Sequence, residues 1–573
     1  MSEALFYSIL LRMKNKINKI KKHNIVILFI TIIHLLVTFY TDKMIFTFPE
    51  KNTSAYKFFL LDYPVCKIIT FFTLFAIYQF VYKVFIDKNK TGNKIYQIAI
   101  CAVPYLLIML LITAVKIRGG YVTNDEYSIL EMAKRLEHNT WFTYITVYYY
   151  IVSLMIIPYK YAPIFMKLVI EFFVVGYVIY RFKNYFEKKR NNNITGDDLF
   201  YWEKESFIDR HHLREKILRG SRLRIKRDPK RHEIKYYYIS YLLFLLYPIL
   251  AYTTSAHRLP IYFLLYLVMV VTLVFDKLEE NKLTFGKCFC ILGLGAILTH
   301  WRTEGIYLFV FLPLLLFLAY SNIRNIQSAI FVILISIILQ ALVYIPQNVY
   351  GVEDLSASAT DRMKPFYAYT IVNMMRNGLD RDKNAEDLAI VDKYISIEKI
   401  DAVNEHYEDI NYEDTFILFD EFNGVREEAS VTEYFEFTSA MQRIFKNNPL
   451  VFLKTRIGAF AYAAIPYHVS FSGGFKGIIR SIFSIFKSLS YNIFIPFAVI
   501  VLICIYTLLK KRWFTFFLSG ALLAHWFIVF ILAPASYFKY YFPIYMCGYM
   551  FVMMLLIQTI YNKKALKKIT FLN

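Results

Sequence analysis

The stretch IYQIAICAVPYLLIMLLITAV, Ile95–Val115, runs for 21 residues without a charged side chain. A helix needs about 20 apolar residues to cross the hydrocarbon core of a bilayer. The chain then reads KIRGGYVTNDEYSILEMAKRLEHNTW, Lys116–Trp141, with Asp125 and Glu126 adjacent. The first stretch sets the class of protein. The second raises a question: what do two neighbouring carboxylates do where a chain leaves a membrane?

Working outward, the same apolar character recurs along the chain. Of 573 residues, 57 % are hydrophobic and 18 % aromatic, and mean hydropathy is +0.41. Soluble domains average about 45–50 % apolar. The expectation is an all-α polytopic membrane protein. A β-barrel needs short alternating segments, which are absent. The basic N-terminal segment runs into an apolar stretch without a small-residue cleavage pattern, so no cleavable signal peptide is expected. The net charge of +22 fits lysine and arginine collecting in cytoplasmic loops, and no nucleic-acid partner is expected, even for Arg219–Arg231. Cys66, Cys101, Cys288, Cys290, Cys504 and Cys547 all sit in apolar segments, which points to neither a disulfide frame nor a zinc site.

Charge sets the topology. Arg12, Lys14, Lys16, Lys19, Lys21 and Lys22 precede the first apolar run and put the N-terminus inside. Spans are expected at Asn24–Tyr40, Val65–Phe85 and Ile95–Val115, so Asp125 and Glu126 face outward. Arg181–Lys235 carries 17 Lys+Arg against 9 Asp+Glu and should be inside. It can be inside only if one of the two preceding apolar pieces does not cross. Tyr144–Ile157 is the shorter, and is read as a helix at the outer interface. Pro163–Tyr180 is the crossing piece. Further spans are expected at Tyr237–Tyr252, Leu259–Phe275, Cys288–Trp301, Ile306–Tyr320 and Ile326–Ile345. Pro346–Asn448 has 21 Asp+Glu against 10 Lys+Arg and reads as a small, partly helical external domain. Leu450–Ile465 and Phe475–Leu489 read as amphipathic helices. Asn492–Leu509, Trp513–Leu532 and Tyr541–Tyr561 complete about twelve spans, with both termini cytoplasmic. The domain division is 1–94, with two extra spans; 95–345, a transmembrane core with a first external loop at 116–162 and a basic loop at 181–235; 346–490, the external domain; and 491–573.

Three polar clusters are then expected at the outer surface: Asn124, Asp125 and Glu126; His300, Trp301, Arg302, Thr303 and Glu304; and Lys539, Tyr540 and Tyr541. A carboxylate there can act as general base toward an acceptor hydroxyl or amine. An arginine or lysine can hold the phosphate of a lipid-linked donor. Plainer readings stand beside these. Asp125 suits a helix start. Arg302 and Glu304 can form a structural ion pair. Lys539 can be an interface anchor.

At these residues the chain resembles the GT-C class of membrane glycosyltransferases, and within it glycosyltransferase family 39, which includes protein O-mannosyltransferases and aminoarabinose transferases. The resemblance runs from about Ile95 to the last span. It rests on TNDEYSILEMAKRL, then TYITVYYYIVSLMIIP, then PIFMKLVIEFFVVGYVIY, with GLGAILTHWRTEGIYLF in mid-chain and YFKYYFPIY before the last span. It implies a GT-C-like fold of about twelve transmembrane helices with interfacial helices and an external loop domain. It implies a polyprenyl-phosphate sugar as donor and a cell-surface glycan, lipid or protein as acceptor. Asp125 would be the base, supported by Glu126. Arg302 and Lys539 would contact the phosphate, with Arg118, His300, Glu304 and Tyr540 lining the substrate site. Lys539 stands where arginine is frequent, and an ammonium has no planar fork for two-pronged phosphate binding. The acidic loop has no counterpart in the resemblance. Parts of the class use a divalent metal; no metal ligands are assigned here, and no cofactor is named.

Two other functions stay open. A polysaccharide ligase or polymerase also has many spans and a large external loop. A lipid-linked oligosaccharide flippase or other transporter needs charges inside spans, and Lys167 and Glu171 are the candidates. High Lys, Asn, Ile and Tyr usage suggests a bacterial source.

Overall fold

A computed structural model describes residues 22–87, 90, 92–116, 124–137, 142–191, 236–253, 255, 257–351, 355–406, 412, 415, 423–425, 431–467 and 474–570. Arg118, His138, His468 and most of the basic loop lie outside them. Among the described residues the fold is all-helical, with one isolated antiparallel bridge, Ile395–Val425. The helices are α1 (Lys22–Ile45), α2 (Ser54–Val81), α3 (Lys94–Lys116), α4 (Asn124–Arg135), α5 (Tyr144–Ile156), α6 (Ala162–Asn191), α7 (Leu259–Leu278), α8 (Phe285–Trp301), α9 (Leu308–Ala319) and α10 (Ile326–Gly351). There follow α11 (Leu355–Arg376), α12 (Ala385–Asp392), α13 (Ile397–His406), α14 (Val431–Asn447), α15 (Pro449–Ala464), α16 (Gly474–Ser490), α17 (Phe494–Leu509), α18 (Trp513–Leu532) and α19 (Phe542–Thr570).

Among the described residues, nine stretches are helical, long and apolar enough to cross a membrane. Eight match single expected spans; the ninth, Gly477–Leu509, joins the expected amphipathic helix Phe475–Leu489 to the expected span Asn492–Leu509, with the helix interrupted between α16 and α17. The other three expected spans are shorter. Tyr237–Tyr252 is broken into a 3-10 turn and two short helices, Tyr241–Phe244 and Tyr247–Thr253. Cys288–Trp301 lies in the 17-residue α8. Ile306–Tyr320 reduces to the 12-residue α9 with Pro313 inside it. Apolarity alone does not set helix length: Pro248 removes a backbone donor at the start of Tyr247–Thr253, whereas α9 continues through Pro313.

The chain divides into two compact units, Met1–Tyr180 with Tyr252–Ile261, and Arg181–Ala251 with Tyr262–Asn573. In the first unit, α1 and α2 are joined by a buried ion pair between Lys67 and Asp42. Lys67 also donates to Thr38 at 2.6 Å, and Tyr63 donates to Asp42 at 2.5 Å. The turn after α1 reaches α4, where Thr47 N–H donates to Lys134 O at 2.8 Å. α3 and α6 pack at Gly176, where a Cβ would lie 2.4 Å from Ile98 O. Only glycine allows that approach.

α5 is shorter than a span, as expected, but its setting differs from that of an interfacial helix. Tyr148 donates to Asp62 near the start of α2 at 2.5 Å, and Thr70, roughly two turns along α2, donates to Met155 Sδ at 3.4 Å. α5 therefore runs lengthwise along α2 instead of across its end. Eleven of its side chains are buried. Its tyrosines bond inward: Tyr148 to Asp62 and Tyr149 to Pro163 O.

In the second unit, α11 to α14 fold the acidic segment around their own core, which includes Ile371, Val372, Leu388, Val391, Ile400, Val403, Phe437 and Met441. Asp276 at the end of α7 gathers Arg181 at 3.0 Å, Lys287 at 2.7 Å and Tyr320 at 2.5 Å. α16 leaves Ile478, Ile479, Ile482, Phe483 and Phe486 exposed, as suits an amphipathic helix against lipid.

Candidate functional site

Asp125 and Glu126 occupy the first turn of α4, where a helix's free N–H groups favour carboxylates. One helical step separates them by about 100°, so they face different surroundings. Asp125 is exposed and, among the described residues, makes no hydrogen bond or ion pair. Among the described residues no hydrogen bond stands behind a capping role for it. Glu126 is buried, its side chain 4 % exposed. Its Oε1 accepts the Arg258 N–H at 3.3 Å and lies 3.5 Å from His257 Nδ1. Its Oε2 is buried and has no hydrogen-bond partner among the described residues. Burial pushes the Glu126 pKa up, but the His257 ring, the Arg258 charge and the Arg258 N–H outweigh it. The carboxyl is held at about 2, below its ordinary 4.5.

The partner of Glu126 is a short polar strap that includes Thr253, Ser255, His257 and Arg258, in the same unit. Lys167 donates to the carbonyls of Ser255 and, at 3.2 Å, His257. Glu171, one turn further along α6, accepts from Tyr105 at 2.7 Å and also bonds Thr253. The Arg258 guanidinium lies 4.4 Å from the Phe142 ring centroid. The two intraspan charges singled out as transport candidates thus tie the strap to α6. They are not the only ones. Asp42, Asp62 and Lys67 are also buried within or at the ends of apolar helices.

The second unit holds the other expected residues except Arg118, which lies outside the described residues. Arg302 and Glu304 pair through two bonds, Nε to Oε2 at 3.0 Å and a terminal nitrogen to Oε1 at 2.6 Å. Arg302 also lies 5.3 Å from the Tyr540 ring centroid. Burial pushes the Glu304 pKa up, the Arg302 charge and fork outweigh it, and the carboxyl is held at about 2. Gly305 makes the turn possible: a Cβ there would sit 2.6 Å from Leu298 O. Lys539 is half-buried, 4.7 Å from the Tyr537 ring and 5.9 Å from the Tyr540 ring. Arg302, Glu304, Tyr540 and Lys539 therefore form one group. His300 does not join it; its ring faces Tyr344 on α10 at 5.7 Å.

Three side chains escaped the sequence reading. His257 was hidden in a loop between apolar runs, though the polar string SAHR was a visible signal. His525 has no such signal, lying within the apolar α18; its Nε2 meets Tyr540 O at 3.1 Å. Arg456, read only as part of an amphipathic helix, is 1 % exposed and bonds Ala533 O and Thr370.

Among the described residues no cluster of three or more His, Cys, Asp or Glu is placed to hold a metal. No family model, curated protein or solved structure matches the chain. The fold defines a class: an all-helical, multi-pass membrane protein.

Proposed function

We propose that the protein is a membrane glycosyltransferase. It moves a sugar from a polyprenyl-phosphate carrier to a cell-surface glycan, lipid or protein at the extracytoplasmic face of what we take to be a bacterial membrane. The observation that carries this reading is the division of labour in the Asp–Glu pair. Glu126 is docked on the strap, while Asp125, one residue earlier, stays exposed and unbonded among the described residues. A docked neighbour fixes the helix, so an exposed carboxylate can act from a set position.

Asp125 accepts the proton of the acceptor hydroxyl or amine. The freed lone pair attacks the anomeric carbon, and the bond from that carbon to the donor phosphate oxygen breaks. The phosphate leaves with the electron pair, and Arg302 and Lys539 stabilise its charge. One displacement inverts the anomeric carbon. Arg302 already pairs with Glu304, so the phosphate shares that cation with a carboxylate. Lys539 meets phosphate as a point charge.

Transport has one observation in its favour: buried Asp42, Asp62, Lys67, Lys167 and Glu171 in the first unit. Each of the five already has a protein partner. Ligase or polymerase activity on the same lipid-linked substrates remains an alternative within the transferase reading.

The test compares surface glycans by mass spectrometry in parent, deletion and Asp125→Asn strains at matched protein abundance. Loss of one sugar mass in both mutants supports the reading, with transfer expected to drop about 10²-fold or more in Asp125→Asn. A parent-like glycan in Asp125→Asn removes Asp125 from the mechanism. Transport gains if Lys167→Met and Glu171→Gln abolish export while Asp125→Asn does not.

A further inference from the structure

The segment Ala533–Tyr541 links α18 to α19 and carries both Lys539 and Tyr540. Its first half is not helical; a 3-10 turn, Phe538–Tyr541, follows. Such a segment has few hydrogen bonds of its own to set its course. It is instead pinned from outside, within one unit, at four points. Arg456 on α15 donates to Ala533 O at 2.9 Å. The hydroxyls of Tyr369 on α11 and Ser536 hydrogen-bond. His525 meets Tyr540 O at 3.1 Å. Arg302 lies over the Tyr540 ring.

Arg456 is unusual among these. It is 1 % exposed, and among the described residues no carboxylate lies within ion-pair distance. Its terminal nitrogens donate to Ala533 O and, at 2.7 Å, to Thr370. Its Nε is buried with no hydrogen-bond partner among the described residues. The rings of Phe366, Phe452 and Tyr369 surround it at 4.9, 5.5 and 5.9 Å. Cation–π contacts offset part of the cost of burying a charge, but an apolar side chain would fill the same space without that cost. Two cations from outside the segment, Arg302 and Arg456, thus contact the short segment that carries Lys539.

We infer that Arg456, with Tyr369, is a positioning residue for anion binding at Lys539 and Tyr540, and that this positioning is what the helical domain around α11 and α15 contributes to catalysis. The inference rests on the proposed transferase reading, because the anion is the phosphate of the polyprenyl carrier. Arg456 does not touch that phosphate. It sets the path of the segment that does, through its bond to Ala533 O.

The experiment uses the full chain in lipid nanodiscs and measures binding of undecaprenyl phosphate, with inorganic phosphate as a second ligand. Arg456→Met and Tyr369→Phe are compared with the parent, each with its melting temperature. Arg456→Met is expected to weaken undecaprenyl phosphate binding about tenfold, Tyr369→Phe to weaken it less, and Arg456→Lys to restore part of the loss. Weakening toward both ligands assigns the effect to the phosphate, and weakening toward the lipid alone assigns it to the whole carrier; either supports the inference. Parent-like binding by folded Arg456→Met overturns it. If Arg456→Met does not fold, parent-like binding by Tyr369→Phe overturns it instead. A purely structural role would lower the melting temperature and leave binding by the folded fraction unchanged. The Asp125→Asn glycan test separates the two claims. If the sugar is lost there but Arg456→Met binds normally, only the positioning role falls. If the sugar is kept, the transferase reading falls.

Discussion

At the scale of single residues, Glu126 has the most definite role in holding the site's geometry. Its folded pKa of about 2 lies below the ordinary 4.5, so its ionised form stabilises the fold. That contribution is fully present above about pH 4.5 and is lost as pH falls toward 2. Glu126→Gln is therefore expected to lower stability by about 3 kcal/mol at neutral pH. The gap between parent and variant should shrink on acidification, read as melting temperature in detergent from pH 7 to pH 3. A gap that holds constant across that range would mean that His257 and Arg258 contribute nothing through charge. Gly305 belongs to this scale too. A Cβ 2.6 Å from Leu298 O cannot be accommodated without moving the turn that presents Arg302 and Glu304. Gly305→Ala is expected to cost about 1–3 kcal/mol and to lower transfer more than Asp125-independent folding controls, as followed by melting and glycan mass together.

At the scale of elements, helix pairs are joined by buried polar contacts as much as by apolar packing. Lys67→Met alone leaves Asp42 buried with only Tyr63, a change expected to cost about 3–5 kcal/mol. The double change Lys67→Met with Asp42→Asn should recover part of that loss, which a double-mutant cycle on melting would detect. Additive losses would show that the two side chains do not act as a pair. Most of the long helices were legible in the sequence, because uncharged runs near 20 residues have few other solutions in lipid. What was not legible is how the short apolar pieces run. Tyr144–Ile157 is too short to cross, and from that the sequence reading placed it at the interface. Asp62 and Thr70 instead hold it lengthwise along α2. Tyr237–Tyr252 is apolar enough for a span, yet its helix is interrupted.

At the scale of the whole molecule, the proposed orientation puts α4 outside and the turn after α7 inside. In a cysteine-free background, Tyr127→Cys should react with a membrane-impermeant maleimide in intact cells, since Tyr127 is 58 % exposed. Glu280→Cys, also at an exposed position, should react only after permeabilisation. Labelling of both in intact cells would break the charge-based topology and with it the external placement of Asp125.

By itself the sequence determined the class of protein, most of its long apolar helices and the helical character of the acidic segment's described residues. Those follow from composition and period, which local physics reads directly. It also named Asp125, Glu126, Arg302, Glu304, Lys539 and Tyr540, because charges beside apolar helices stand out. Only the tertiary structure decided which carboxylate is docked and which exposed, that His300 turns away from Arg302, and that His257, His525 and Arg456 belong beside the candidate residues. Those partners lie tens to hundreds of residues away along the chain. Burial and hydrogen-bond geometry between distant segments depend on packing, and no local pattern encodes them.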